Sequence, residues 1–163
     1  MSKLVIVESP SKSKTIQKYL GKDFEVLSSK GHINDLATSG KGGLGVDVEN
    51  QFKATYKVHP DKKLTVKELK DKAKKADFVY LATDPDREGE AISWHLANEL
   101  GLDTSQSNRV IFNEITENAI KEAFDHPRPF DMELVKSQET RRILDRIIGF
   151  RLSTLLQKKI KSK

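Results

Sequence analysis

The sequence predicts an α/β fold in which helices cover both faces of a mainly parallel sheet, followed by a helical extension. Short apolar, β-branched runs alternate with segments whose apolar residues recur at helical spacing, which is typical of a parallel sheet. The breaker His-Pro-Arg-Pro-Phe at residues 126–130 ends this alternation, and only a helical pattern follows it. We therefore predict an α/β domain over residues 1–125 and the start of a helical domain over residues 126–163.

The composition is typical of a soluble globular protein. The chain has 163 residues, of which 36% are hydrophobic and 33% charged, and its longest apolar run is far shorter than the roughly 20 residues that a membrane helix needs. The sequence begins directly with a predicted strand, without the pattern of a signal peptide. The absence of cysteine excludes disulfides and cysteine-ligated zinc. Together these features predict a cytoplasmic protein without a membrane attachment.

The positive charge is concentrated near the end of the sequence. Residues 141–163 contain eight basic residues and one acid, whereas the whole chain has a net charge of +5, so the remainder is slightly acidic. This asymmetry favours a polyanionic partner, most simply nucleic acid. A basic helix end in solvent would have the same composition, and charge alone does not distinguish the two.

The predicted α/β domain begins with a strand, a helix and a second strand. Residues 3–7 form a continuous β-branched run, as expected of a buried strand. Ser9 and Pro10 supply an N-cap and a first helical position, and Gly21 ends this helix. Residues 24–29 alternate between apolar and polar side chains, which predicts the second strand.

The pattern is weaker in the middle of the domain. Residues 39–45 form a glycine-rich loop without the spacing of a P-loop, so we predict no ATP site. Residues 54–58 indicate a short strand, and a lysine-rich amphipathic helix follows around residues 66–76. The remaining elements are two strand–helix units, with strands over residues 78–83 and 109–112, a first helix that ends near Gly101 and a second with Thr116 as its N-cap.

Four carboxylates lie within seven residues between a predicted strand and its helix: Asp84, Asp86, Glu88 and Glu90. Arg87 is the only local counter-charge. Because burying so many acids without a cation is costly, a bound metal is the natural compensator, and all-oxygen ligands suit Mg²⁺. An acidic helix cap in a solvated loop is the alternative, and it would be favoured for Asp-x-Asp alone. The added Glu88 and the position at the carboxyl end of a strand favour the metal site.

Other polar residues are predicted at the same edge of the sheet as the acidic turn. Glu8 follows the first strand, and Asn113 and Glu114 follow the last. Ligands of parallel sheets bind outside the carboxyl ends of the strands. Lys12 and Lys14 lie in a first helical turn, where the helix dipole disfavours cations, which indicates a contact with phosphate. An ordinary exposed lysine is the alternative, because exposed lysines cost little there, and this alternative is strong for Lys14.

The helical extension combines an apolar face with a basic cluster. Its apolar residues recur at positions i, i+3 and i+4 from residue 144 onward. Arg141 and Arg142 are close enough to Asp145 along a helix for that acid to orient them, and Arg142 and Arg146 form a row that could grip a phosphodiester backbone. A cluster of salt bridges within the helix is the alternative.

Three segments and the beginning of the extension together resemble the N-terminal region of bacterial type IA DNA topoisomerases. They are Val-Ile-Val-Glu-Ser-Pro-Ser-Lys-Ser-Lys at 5–14, Thr-Asp-Pro-Asp-Arg-Glu-Gly-Glu-Ala-Ile at 83–92, Phe-Asn-Glu-Ile-Thr at 112–116 and Glu-Thr-Arg-Arg-Ile-Leu-Asp-Arg at 139–146. The resemblance covers nearly the whole chain and implies a Toprim fold for residues 1–125.

The resemblance also implies an activity and roles for individual residues. The family relaxes negatively supercoiled DNA without ATP, by transient single-strand cleavage through a 5′-phosphotyrosine, strand passage and religation. By this resemblance Glu8 and Lys12 would be catalytic. Mg²⁺ would be held by Glu8, Asp84, Asp86 and Glu88. The strand of DNA would be bound or positioned by His32, Arg109, Arg141, Arg142, Asp145 and Arg146.

The sequence departs from that family in two places. The catalytic tyrosine of the family stands in a Tyr-x-x-Tyr-x-Arg-Thr context that is absent here, and Tyr19, Tyr56 and Tyr80 have the patterns of packing residues. We therefore expect an N-terminal part that is inactive without the remaining domains of the same enzyme. Residues 153–157 also lack the usual proline and tryptophan. The alternatives are a topoisomerase III, a stand-alone Toprim nuclease or primase-like protein, and a DNA-binding or interaction module.

Overall fold

The computed structural model describes residues 2–36, 46–47, 53–54 and 56–161. The strands are β1 (Lys3–Val7), β2 (Phe24–Ser28), β3 (Asn34–Leu36), β4 (Val46–Asp47), β5 (Lys53–Ala54), β6 (Tyr56–Val58) and β7 (Phe78–Leu81). The helices are α1 (Pro10–Leu20), α2 (Lys63–Lys75), α3 (Arg87–Glu99), α4 (Glu117–Asp125) and α5 (Met132–Lys161). The predicted glycine-rich loop at 39–45 and Thr55 of the predicted strand at 54–58 lie outside the described residues.

A parallel sheet forms the centre of the α/β part. Its strands have the order β2-β1-β7, with Val5 of β1 opposite Val26 of β2 and Tyr80 of β7. β1 is therefore the middle strand, and its four apolar residues are fully buried, as the continuous apolar run predicts. Two small antiparallel pairs, β3 with β6 and β4 with β5, lie outside this sheet.

Each face of the sheet carries its own hydrophobic core, because successive side chains of a strand point to opposite faces. Leu4 and Ile6 belong to one core, together with apolar residues of α2 and α3. Val5 and Val7 belong to the other, together with Ile16 of α1 and residues of α4. The predicted α/β fold with helices on both faces is confirmed.

Short-range capping signals gave most helix starts correctly. The hydroxyl of Ser9 accepts a hydrogen bond from the Lys12 amide at 3.3 Å, and that of Thr116 accepts one from the Ala119 amide at 3.3 Å. Gly21 ends α1 with φ of +81°, a conformation that glycine adopts readily. These three predicted boundaries are confirmed.

The predicted strand at 109–112 is wrong as a regular element. Only Arg109 forms bridges, parallel to Leu81 on one side and antiparallel to Arg128 on the other. Because Arg128 occupies the outer edge of this segment, the predicted breaker at 126–130 closes the sheet at that side. The segment therefore pairs with β7 at one residue and then leaves the sheet.

The long helix α5 is attached to the α/β part through its first turns. Val135 is fully buried, α5 packs along α3, and the ring of Phe130 lies 5.5 Å from that of Trp94. Further along α5 the apolar side chains are exposed; they include Leu144, Ile148, Leu152, Leu155, Leu156 and Ile160. The helix predicted over residues 132–163 is observed as far as Lys161. In the part of the chain that the structure describes, no helix is long and apolar enough to cross a membrane.

Candidate catalytic site at the carboxyl edge of the sheet

Glu8 and Asp84 meet because they follow neighbouring parallel strands. β1 ends one residue before Glu8, and the Ala82 amide donates to the Ile6 carbonyl at 2.9 Å, which keeps the chain after β7 beside β1. Lys12, one turn into α1, donates from Nζ to Glu8 Oε1 at 2.5 Å and also to Asp84 Oδ1. The lysine ammonium thus bridges two carboxylates that are 76 positions apart in sequence.

The electrostatics of this bridge favour the charged forms of Lys12 and Asp84. Burial disfavours the charged form of Lys12, but the hydrogen bonds and charges of Asp84 and Glu8 outweigh it, and the pKa of Lys12 is raised. Burial likewise opposes ionisation of Asp84, but hydrogen bonding to and the charge of Lys12 outweigh it, and the pKa of Asp84 is lowered. Lys12 therefore supplies the positive charge that the acidic edge requires.

The two carboxylate oxygens of Glu8 differ in their contacts, since Oε1 accepts from Lys12 and Oε2 does not. Its Oε2 is buried and has no hydrogen-bond partner among the described residues, while its side chain is 14% exposed. A buried oxygen of this kind is costly unless a donor or a cation reaches it. Together with the all-oxygen character of the neighbouring acids, it fits a hard divalent cation at this edge.

Asp86 and Glu88 lie in the same turn, each with its own partner. Asp86 is the N-cap of α3, and its Oδ1 accepts the Gly89 amide at 2.7 Å. Glu88 Oε1 lies 2.9 Å from Nε2 of His32. The residue before His32, Gly31, donates from its amide to the Glu8 carbonyl, and this bond helps to hold His32 near the edge. Within the described ranges, no three acid or histidine side chains are gathered into a metal-ligand cluster. The structure brings the predicted acids to one edge without assembling them into one coordination sphere.

Arg109 is corrected from a DNA contact to a buried support of the acidic turn. Its guanidinium has no exposed surface and donates to Glu90 Oε2 at 3.0 Å. It also donates to the Thr83 carbonyl at 2.8 Å and the Asp84 carbonyl at 2.5 Å. A side chain without exposed surface cannot reach a DNA phosphate, and these backbone contacts shape the turn that carries the acids.

Glu90 completes this support and was missed as a structural residue. It is fully buried, and its second oxygen accepts the Asp131 amide at 3.0 Å, directly before α5. The signal was present in the sequence, because Glu90 lies between buried positions of α3 and a buried carboxylate requires a cation. Arg109, at the start of an apolar run, was the available partner.

Gly89 allows α3 to begin directly against the acidic turn. A Cβ atom at this position would lie 2.0 Å from the Asp84 carbonyl oxygen. Gly89→Ala is therefore expected to lower the free energy of unfolding by about 1–3 kcal/mol, because the backbone of the turn must move. Urea unfolding measures the effect.

The control for Gly89 is Gly149→Ala in α5, where an added Cβ meets no atom within 4 Å. That change is expected to stabilise the helix by about 0.5–1 kcal/mol, because alanine has the higher helix propensity. Equal effects of the two substitutions would contradict the close approach at Gly89.

The other predicted DNA contacts lie on α5. Arg141 Nε is 4.0 Å from Asp145 Oδ2, so the predicted pairing is present but loose. Arg142 lies with its guanidinium 5.6 Å from the centre of the Tyr56 ring, and Arg146 similarly 5.8 Å from Phe150. Arg141 and Asp145 are exposed and Arg142 and Arg146 are half-buried. Asn113 and Glu114 instead line an open cleft beside α4.

His95 of α3 packs against the Tyr56 ring and lies near Glu139 of α5, and sequence reasoning did not identify it. It is 6% exposed, its ring lies 4.9 Å from that of Tyr56, and its Nε2 lies 3.9 Å from Glu139 Oε1. Burial first, and then the charges of Arg142 and His32, lower the pKa of His95 to about 4. His95 is therefore a neutral packing residue near pH 7. Its position within an apolar helical pattern was the only signal.

The fold and the site together define an α/β domain with a parallel sheet and a lysine-bridged acidic carboxyl edge. The model of the Toprim domain matches residues 3–115, and the chain belongs to this family. Among solved structures, it is similar to that of full-length topoisomerase I from Thermotoga maritima, with 46% sequence identity and a TM-score of 0.86. That match covers 94% of this chain, which spans 26% of the Thermotoga chain.

Proposed function

We propose that these residues are the N-terminal part of a type IA DNA topoisomerase of the topoisomerase I kind. With the remaining domains of the same enzyme, it relaxes negatively supercoiled DNA through transient single-strand cleavage, a 5′-phosphotyrosine, strand passage and religation, without ATP. Membership of the Toprim family and the 46% identity to a topoisomerase I support this proposal. The presence of DNA as the substrate also favours a cytoplasmic, nucleoid-associated location.

The observation that carries the proposal is the bridge from Glu8 through Lys12 to Asp84. A cation between two carboxylates, beside a buried unpartnered oxygen of Glu8, suits a site that neutralises a phosphodiester and moves a proton near it. A solvated helix cap would not need the buried Glu8, which comes from a different strand. The alternative of an acidic cap thus explains Asp86 but not this arrangement.

The metal ligands that we propose are Glu8, Asp84, Asp86 and Glu88, with Mg²⁺ as the ion. Toprim domains generally bind a divalent metal, and the donor set is entirely carboxylate oxygen, which suits Mg²⁺. When bound, the ion would stabilise charge that develops on the phosphate and its leaving oxygen. Lys12, whose Nζ donates to Glu8 and Asp84, would contact the phosphate with the same ammonium group.

The chain's own residues then have distinct tasks. Glu8 assists proton transfer to the leaving 3′ oxygen, and Lys12 stabilises the charge of the phosphoryl group. The strand of DNA is bound or positioned by His32, Arg141, Arg142, Asp145 and Arg146. The attacking tyrosine belongs to the remaining domains, so these 163 residues alone are not expected to relax a supercoiled plasmid.

The test is a Mg²⁺ titration followed by amide NMR, with and without a short single-stranded DNA. In the wild type we expect shifts at Glu8 and at residues 84–88, because these positions surround the added charge. Asp84→Asn should abolish them, since it removes a carboxylate that the ion shares with Glu8. Asp71→Asn is the matched control, because Asp71 is an exposed acid on α2 away from the edge, and it should leave the shifts unchanged.

The outcomes separate the proposal from its alternatives. Shifts that appear only with DNA would mean that the phosphate completes the coordination. If the amide shifts do not change under either condition, or if they persist in Asp84→Asn, these acids are not the metal ligands. Mg²⁺-dependent nicking of DNA by the 163-residue chain would favour a nuclease instead.

A further inference from the structure

Four lysines form a stripe along one side of α2, which we call the lysine track: Lys63, Lys67, Lys70 and Lys74. Their spacing of four, three and four residues returns each side chain to the same side of a helix with 3.6 residues per turn. The track is about 17 Å long, at 1.5 Å per residue. The buried side of α2 is formed by other residues, Val66 and Leu69.

The lysine track is an uncompensated positive surface. All four side chains are exposed, and none of them has an ion pair with a carboxylate in the described parts of the chain. Lys72, on the opposite side of the same helix, is paired with Glu25 at 2.9 Å. Like charges at these spacings disfavour a helix. An anion that bound the track would relieve this repulsion.

The track starts at the catalytic edge and leads away from it. Lys62, directly before α2, donates from Nζ to the Lys30 carbonyl at 2.5 Å, and the next residue, Gly31, donates from its amide to the Glu8 carbonyl at 2.8 Å. At the other end, the Ser2 hydroxyl donates to the Lys75 carbonyl at 3.3 Å, beside the start of β1. α2 therefore runs from the carboxyl edge of the sheet to its amino edge.

The chemistry of the track fits a regular phosphate backbone. B-DNA carries one phosphate per strand every 3.4 Å along its axis, so about five phosphates of one strand span 17 Å. α2 contains no aromatic residue on which an unpaired base could stack, whereas proteins that bind single strands combine charge with such stacking. A straight row of exposed ammonium groups on a helix that itself contains no aromatic residue therefore suits a duplex better than a single strand.

We propose that the lysine track binds the backbone of the duplex DNA that adjoins the single strand held at the catalytic edge. This inference rests on the proposed function for its substrate, DNA. It adds a second contact surface to the one proposed on α5. The two surfaces would differ in what they bind, with the arginines of α5 contacting the single strand and the lysines of α2 contacting the duplex.

The test compares the salt dependence of binding for two DNA probes. One is a hairpin whose duplex arm carries a single-stranded tail, and the other is a single strand of the same total length. Binding of the 163-residue chain is measured by fluorescence anisotropy between 50 and 200 mM KCl, a range chosen after the usual behaviour of such contacts. The variant carries Lys67→Gln, Lys70→Gln and Lys74→Gln together.

The matched control carries Lys18→Gln, Lys22→Gln and Lys121→Gln, which removes the same charge from exposed sites on the α1 and α4 side of the sheet. For the hairpin, we expect the magnitude of the slope of log K against log[salt] to be smaller by about 2–3 in the track variant than in the wild type. The reason is that each phosphate contact contributes about 0.9 to that magnitude. The control should change the slope by less than about 1. With the single-stranded probe, the slopes of the track variant and the control should be nearly the same.

Equal slopes for the track variant and the control, or an equal loss of slope on both probes, would overturn the duplex assignment. A loss of slope with the single strand alone would do the same. Circular dichroism must show unchanged helix content, because the substitutions lie on the exposed side of α2. One outcome separates the two proposals: the wild type binds the single strand and responds to Mg²⁺, and the track variant binds the hairpin as the wild type does. In that case the further inference fails and the proposed function stands. If the wild type binds neither probe, both fail.

Discussion

Replacing Arg109 by methionine is expected to lower the free energy of unfolding by about 3–5 kcal/mol, because the change leaves a buried carboxylate without its cation. Both side chains of the Arg109–Glu90 pair are fully buried, with Nε and Oε2 3.0 Å apart. The guanidinium also satisfies backbone carbonyls, including those of Thr83 and Asp84, which would lose their donor. Urea unfolding at pH 7.5 measures the loss.

The surface pair of Lys121 and Glu117 supplies the control. Its atoms are closer, at 2.7 Å, but both side chains are 57% exposed. Lys121→Met should cost no more than about 0.5 kcal/mol, because solvent screens an exposed i,i+4 pair. A similar cost for Arg109→Met and Lys121→Met would contradict the burial of the Arg109 guanidinium.

A double replacement separates the buried charge from the lost carbonyl contacts. Glu90→Met combined with Arg109→Met should be less destabilising than Arg109→Met alone, since no unpaired charge remains. The difference that persists relative to the wild type reports the lost carbonyl contacts of Arg109 together with the lost contact between Glu90 and the Asp131 amide. Hydrogen exchange should show faster opening of residues 83–89 in the single variant, because those contacts hold the acidic turn. A double variant that is less stable than the single one would contradict the unpaired-charge explanation.

Acidification is expected to destabilise the protein through His95. Its pKa is about 4 in the folded chain, below the ordinary histidine value of 6.5, so the unfolded chain binds the proton more readily. The corresponding stability is complete above pH 6.5 and is lost as pH falls towards 4. Over this window the loss approaches about 3 kcal/mol, and at pH 5 it is about 2 kcal/mol.

The measurement compares urea unfolding at pH 7.5 and pH 5 for the wild type and for His95→Phe, which keeps a planar ring near Tyr56. Carboxylates titrate in all variants, so the difference between the two proteins isolates His95. His126→Gln is the control, because it removes an exposed histidine that directly follows α4. If His95→Phe retained the full pH dependence of the wild type, the buried neutral histidine would be ruled out.

Protonation of His95 also has a predicted structural consequence. The ring of His95 lies between α3 and α5. The first turn of α3 carries Glu88, and α5 carries Arg142. A charged imidazole at this buried position would repel Arg142, so the loss of stability should be concentrated at the packing of α3 against α5. At pH 5, the amides in the first turns of α5 should therefore exchange faster in the wild type than in His95→Phe.

Features with a short range in sequence were predicted well. The N-caps Ser9 and Thr116, the helix end at Gly21 and the buried run of β1 depend on neighbouring residues and on side-chain periodicity. The same holds for the acidic turn, since it lies directly between a strand and a helix. The strand predicted at 109–112 failed because only Arg109 pairs, with Leu81 on one side and with Arg128, from beyond α4, on the other, and such distant partners are not visible in the local pattern.

The sequence by itself determined the α/β architecture, the helix caps and the identity of the acids at the carboxyl edge, because these depend on local patterns that the chain order preserves. Tertiary structure alone decided which charges are partnered, Lys12 with Asp84 and Arg109 with Glu90, and it also buried His95 against Tyr56. Such pairs join residues that are distant along the chain, and burial, which local sequence does not specify, sets their strength. For this reason Arg109 supports the acidic turn from within the protein, although the family resemblance implied a contact with DNA.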